Sequence, residues 1–179
     1  MEYHLESTTT LLGIFPGTLN ALVRDLPEAL VLQGEGENTM NVFEVVGHLI
    51  NAERTNWMPR IRFLLEFGET RTFEVFDRQP PDAGGMSLGQ LLDEFARLRA
   101  ESISALHALK LSPEDFEKRG LHPTFGAVTL SELLATWATH DLTHLHQISR
   151  VLAYQYRDAV GPWRRFLGVL QCDGHSGGA

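Results

Sequence analysis

The chain has 179 residues, 43% of them hydrophobic and 21% charged, which is ordinary for a globular protein long enough to bury a substantial core. Its formal net charge of −8 offers no basic stripe to neutralise a phosphate backbone, so nucleic acid is not an expected partner. The lone Cys172 excludes a disulfide framework and a thiolate zinc knuckle, and no apolar run approaches the ~20 residues that span a bilayer.

The opening Met1-Glu2-Tyr3-His4-Leu5-Glu6 is acidic and lacks a following apolar signal region, so one soluble, cytoplasmic domain over residues 1–179 is expected. A first helix is predicted over residues 6–24, with Leu11, Leu12, Phe15, Leu19, Leu22 and Val23 as its apolar stripe. Pro16 falls inside that pattern and should kink the helix or start its second half, while Pro27 follows as a stop signal. Residues 33–38, rich in glycine and acid, read as a turn-rich link.

Asn41 with Glu44 forms a variant capping box opening a second long helix to residue 67. Phe43, Val46, Ile50, Trp57, Ile61, Leu64 and Leu65 supply its apolar face, and Pro59 predicts a bend. Residues 68–86 lack helical period and carry Pro80-Pro81 and Gly84-Gly85, so they read as a long crossover docked by Phe73, Val75 and Phe76.

Ser87 with Gln90 caps a third helix to residue 109, with Leu88, Leu91, Leu92, Phe95, Leu98, Ile103 and Leu106 buried. Ser112-Pro113-Glu114-Asp115 marks a turn or short helical start, and residues 120–126 read as loop. Thr129 with Glu132 caps the fourth long helix, to residue 157. Gly161-Pro162 stops it, one short helix follows over residues 163–170, and residues 173–179 form a frayed tail. Strand alternation is weak throughout. The predicted class is all-α, a four-helix bundle with a long crossover between helices two and three and a short C-terminal helix.

The chemistry concentrates in Trp137-Ala138-Thr139-His140-Asp141-Leu142-Thr143-His144-Leu145-His146-Gln147. As a helix, this segment sets His140 and His144 about 40° apart in azimuth and roughly 6 Å apart along the axis, so both imidazoles can serve one ion. Leu133, Trp137, His140, His144, Gln147 and Val151 share one face, and histidines inside an apolar stripe must satisfy their ring nitrogens. Hydrogen bonds in the core are the bland solution; a metal with His48 as third ligand is the sharper one, and the pairing favours it. Three neutral imidazoles suit zinc, and nickel comparably, and leave a coordination position open as catalytic sites do.

Other residues rank lower. His146 lies about 120° from His140 around the helix, so it belongs to the surface or the surroundings of the site. His122 is able to approach from its loop, and Gln147, three residues past His144, is placed to line the pocket. Asp141 faces away and suits solvent or an arginine; Glu53, about 140° round the helix from His48, is structural. His4, His107, His175 and Cys172 show no partner pattern. A ferritin-like di-metal bundle fails for want of paired Glu-x-x-His motifs, and a His-Glu-x-x-His protease fails because Asp141-Leu142-Thr143 separates the histidines.

Two segments carry a resemblance: Asn41-Val42-Phe43-Glu44-Val45-Val46-Gly47-His48-Leu49-Ile50-Asn51-Ala52-Glu53, and residues 133–148 around His140 and His144. With Thr129-Leu130 and Gly161-Pro162-Trp163, they resemble the DinB-like superfamily of helical bundles, which includes bacterial thiol-dependent S-transferases. The resemblance implies a divalent metal on His48, His140 and His144, and a homodimer. It also implies activation of a low-molecular-weight thiol as co-substrate. The function expected is a metal-dependent enzyme that transfers such a thiol to an electrophilic small molecule in stress or detoxification, or hydrolyses through metal-bound water. The alternatives are a non-enzymatic, metal-stabilised protein that binds a small ligand, and a structural dimer with hydrogen-bonded core histidines.

Overall fold

The computed structural model describes residues 3–37, 39–76 and 85–172. Pro80, Pro81 and Gly84 of the crossover, and residues 173–179 with His175, lie outside the described residues. Helix α1 (Leu5–Val23) buries Leu12, Phe15, Leu19 and Val23 at three- and four-residue steps. Leu11 and Leu22, expected in the same stripe, flank it and are 47% and 39% exposed.

Pro16 does not interrupt α1. A proline has no N–H to offer the carbonyl four residues earlier, which here is that of Leu12. That carbonyl accepts instead from Nη1 of Arg99, at 3.0 Å. The helix continues because its missing bond is replaced from another helix.

After the one-turn helix α2 (Glu28–Val31), the predicted second long helix is two: α3 (Val42–Thr55) and α4 (Trp57–Phe67), broken at Asn56. Asn41 and Glu44 bond each other's backbone N–H groups, both at 2.9 Å, as a capping box requires. The break sits three residues before Pro59, which therefore occupies the first turn of α4, where no helical N–H is needed.

Helices α5 (Leu88–Ala108) and α6 (Leu130–Tyr154) begin at the Ser87–Gln90 and Thr129–Glu132 capping boxes. Helix α6 ends before the expected residue 157. The short C-terminal helix is present as two 3-10 turns, Gly161–Phe166 and Gly168–Leu170, and not as one piece over 163–170. Trp163 and Phe166 are exposed there, so no buried face sustains a longer helix.

Where a loop was expected, β1 (Arg119–His122) and β2 (Gly126–Thr129) form an antiparallel hairpin, with Gly126 at φ +74° where β2 leaves the turn. Phe73 docks on it by donating its N–H to the Leu121 carbonyl, at 2.8 Å. A Cβ on Gly120 would stand 2.9 Å from Phe73 Cζ and 3.1 Å from Leu64 Cγ, so only glycine allows the hairpin this close to α4. Of the expected docking residues in the crossover, Phe73 is buried, Phe76 is partly buried and Val75 is 81% exposed.

Helices α1, α3, α5 and α6 form the four-helix bundle. Its apolar core divides in two. One cluster holds Phe15, Leu19, Leu49, Leu92, Phe95 and Ile148; the other holds Leu12, Ile61, Leu64, Leu106, Leu134 and Trp137. Between them, at the levels set by residues 96–105 of α5 and 139–147 of α6, lies a buried polar layer containing Arg99, Asp141 and His144.

Helix α6 carries the histidine pair, and its start is anchored by the Thr129 hydroxyl, which accepts the Glu132 N–H at 3.1 Å. Thr129→Ala is expected to cost about 1 kcal/mol of stability and Thr129→Ser much less, read from urea unfolding midpoints. Equal midpoints for all three proteins would show that the cap contributes nothing.

Candidate metal centre

One turn of α6 separates His140 from His144, and their Nε2 atoms lie 3.0 Å apart. Helix α3 brings His48 across the bundle, its Nε2 3.3 Å from that of His140 and its ring centroid 4.6 Å from that of His144. One ring nitrogen from each of the three lies within 4.8 Å of the others. Imidazoles on the corners of a tetrahedron around zinc, at 2.0–2.1 Å, stand about 3.3–3.4 Å apart, so these nitrogens match the scale of one coordination sphere. Hydrogen bonding is a poorer solution: one N–H joins only two of three converging nitrogens.

Two of the rings, His140 and His144, are in the form a cation needs. Burial, then the neighbouring His144, His48 and Arg99, pushes His140 down to about 2. Burial, then His48, pushes His144 down to about 4, against the pull of Gln147 in the other direction. Both are neutral at pH 7. Gln147 presents its side-chain carbonyl to His144 Nδ1 at 2.8 Å, so that nitrogen keeps the proton and Nε2 turns its lone pair to the centre. Trp57 packs edge-on against His140 at 5.0 Å, and Phe76 against His48 at 5.7 Å, walling the group with aromatic rings.

In the same polar layer lies an ion cluster around Arg99, which is 1% exposed. Its Nε donates to Glu53 Oε1 at 2.9 Å, with Nη2 in ion-pair contact with the same oxygen at 2.7 Å, and its Nη1 and Nη2 donate to the two Asp141 oxygens at 2.6 and 3.0 Å. Trp137 Nε1 also donates to Glu53 Oε1, at 3.0 Å. Burial opposes the guanidinium's charge, but the hydrogen bond with Asp141 and the charges of Glu53 and Asp141 outweigh it and hold Arg99 protonated. Burial pushes the Asp141 carboxyl up to about 6, against the hydrogen bond and charge of Arg99. Asp141 thus has the arginine partner anticipated for it, and Glu53 is structural. Arg99 itself escaped the sequence reading, although the steps from Leu92 through Phe95 to Arg99, Ser102 and Leu106 place it on the buried stripe of α5.

The remaining candidates stand apart. His122 Nδ1 accepts the backbone N–H groups of Thr124 and Phe125, and its ring stacks on Phe125 at 4.6 Å, so the hairpin turn occupies it. His146 is half-buried beside the group and not within it, and Cys172 is exposed. Among the described residues no helix is long and apolar enough to cross a membrane.

Residues 14–148 match the family model of the DinB superfamily. The fold is similar to that of YfiT from Bacillus subtilis, described as a probable metal-dependent hydrolase with an unusual four-helix bundle topology. The two share 18% sequence identity and a TM-score of 0.72 over 84% of this chain and 87% of that one. No curated protein matches the chain.

The ion cluster predicts a large asymmetry between removing one charge and removing all three. Arg99→Met strands two buried carboxylates and is expected to cost about 3–5 kcal/mol in urea unfolding. Adding Glu53→Gln and Asp141→Asn to it should recover most of that loss. A single-variant cost below about 1 kcal/mol would contradict the burial and pairing described.

Proposed function

This chain belongs to the DinB superfamily, and from that premise we propose that it is a metal-dependent enzyme acting on a small molecule, with a divalent ion held by His48, His140 and His144. The observation that supports this most is the convergence of three imidazole nitrogens, from helices far apart in sequence, within the reach of one ion. Zinc or nickel suits the donor set. When bound, such an ion lowers the pKa of a coordinated water or thiol and supplies a nucleophile near neutral pH.

The chain's own residues prepare the site for that chemistry. His48, His140 and His144 direct Nε2 inward, and Gln147 holds His144 in the tautomer that makes this possible. Trp57 and Phe76 exclude water from two sides and leave an apolar wall for a substrate. Two reactions fit. Hydrolysis accords with the description of YfiT, whose fold this chain shares. Transfer of a low-molecular-weight thiol to an electrophile accords with the superfamily's thiol-dependent members. A homodimer and a cytoplasmic location are part of the same reading, and the net charge of −8 supports a partner other than nucleic acid.

The test loads chelator-stripped protein with zinc or nickel and assays it against ester, amide and lactone substrates, and against electrophiles paired with several thiols. Turnover is expected in one arm, dependent on the ion. His48→Ala should lower it by more than the roughly 10–100-fold that an outer-shell change costs. Metal bound at one per chain with silence in every arm would favour a small-ligand-binding protein, and no metal bound would overturn the reading.

A further inference from the structure

We propose that Arg99 is a positioning residue for the three-histidine site, setting the distance and rotation between the helix that carries His48 and the helix that carries His140 and His144. The proposal rests on the metal reading above.

From α5, the guanidinium reaches every other helix of the bundle: α3 through Glu53, α6 through Asp141 and α1 through the Leu12 carbonyl. Its anchors lie close to the histidines along the chain. Asp141 is the residue after His140, and Glu53 lies five positions beyond His48 on the same helix. Apolar packing between helices tolerates small slides and rotations. Four directed hydrogen bonds from one planar group do not, because each has a narrow range of distance and angle. A slide of one residue along α6 would carry its histidines about 1.5 Å, whereas metal–ligand distances hold within about 0.2 Å.

The attachment to α1 is built into the sequence. Proline in a helix interior ordinarily costs about 3 kcal/mol, in part because a carbonyl loses its donor. Here that carbonyl is the Arg99 acceptor, so Pro16 opens α1 at the position the guanidinium reaches. A lysine has one ammonium where the arginine has a fork, and it cannot hold both carboxylates and the carbonyl in this planar geometry.

The experiment measures Co2+ affinity by chelator competition, together with the visible bands of the bound ion. The proteins are the wild type, Arg99→Lys and Asp141→Asn, with Thr129→Ala as a variant destabilised outside the network. Each is used at a temperature where far-UV circular dichroism shows it folded. The expected result is Co2+ binding about 10–100-fold weaker in Arg99→Lys and Asp141→Asn, with altered bands, and wild-type values in Thr129→Ala. If Arg99→Lys does not fold, Asp141→Asn decides. Wild-type affinity and bands in the folded variants would reduce Arg99 to a structural ion and overturn the proposal. No Co2+ binding by the wild type would instead overturn the metal reading beneath it.

Discussion

A guanidinium buried among four helices is the constraint that the rest of this structure satisfies. Taking an arginine and two carboxylates out of water costs several kcal/mol per ion, and their mutual attraction offsets that only when geometry and hydrogen bonding are good. Here Nη1 and Nη2 bind the two Asp141 oxygens, Nε binds Glu53 Oε1 with Nη2 in ion-pair contact, and Nη1 also reaches the carbonyl that Pro16 left open. The layer interrupts an apolar core that would otherwise be continuous, with phenylalanine and leucine on one side and tryptophan, isoleucine and leucine on the other. The histidines sit at that same level, where two apolar clusters meet and the helices are registered by directed bonds.

The site follows from that registration. Three imidazoles, with His140 and His144 kept neutral by burial and His144 oriented by Gln147, face a common point flanked by Trp57 and Phe76. Donor chemistry, tautomer and aromatic walls all suit a divalent ion with part of its coordination left to water or substrate. A bundle of this kind hosts unrelated chemistries, so the substrate is set by the groups around the site and not by the fold.

Local features of this fold were legible in the sequence, and long-range ones less so. The Asn41–Glu44, Ser87–Gln90 and Thr129–Glu132 boxes act within four residues, so spacing alone located three helix starts. His140 and His144 were legible for the same reason. His48 was legible only as a partner for them, because its approach depends on how α3 crosses α6. Arg99 was missed because a charge on a helix is ordinarily solvated; only its two carboxylates, 46 and 42 residues away in sequence, make burial tolerable. Pro16 misled for a related reason, since the bond that replaces the lost one comes from another helix. The hairpin at residues 119–129 has strands of four residues each, too short to show alternation, and is held by Phe73 and by the room that Gly120 leaves.

The most direct measurement of the central claim is X-ray absorption at the zinc edge on stoichiometrically loaded protein, beside the same measurement on His48→Ala. The account predicts three imidazole nitrogens at about 2.0–2.1 Å in the wild type and two in the variant. An unchanged imidazole count in His48→Ala, or a wild-type zinc shell without three imidazoles, would contradict it.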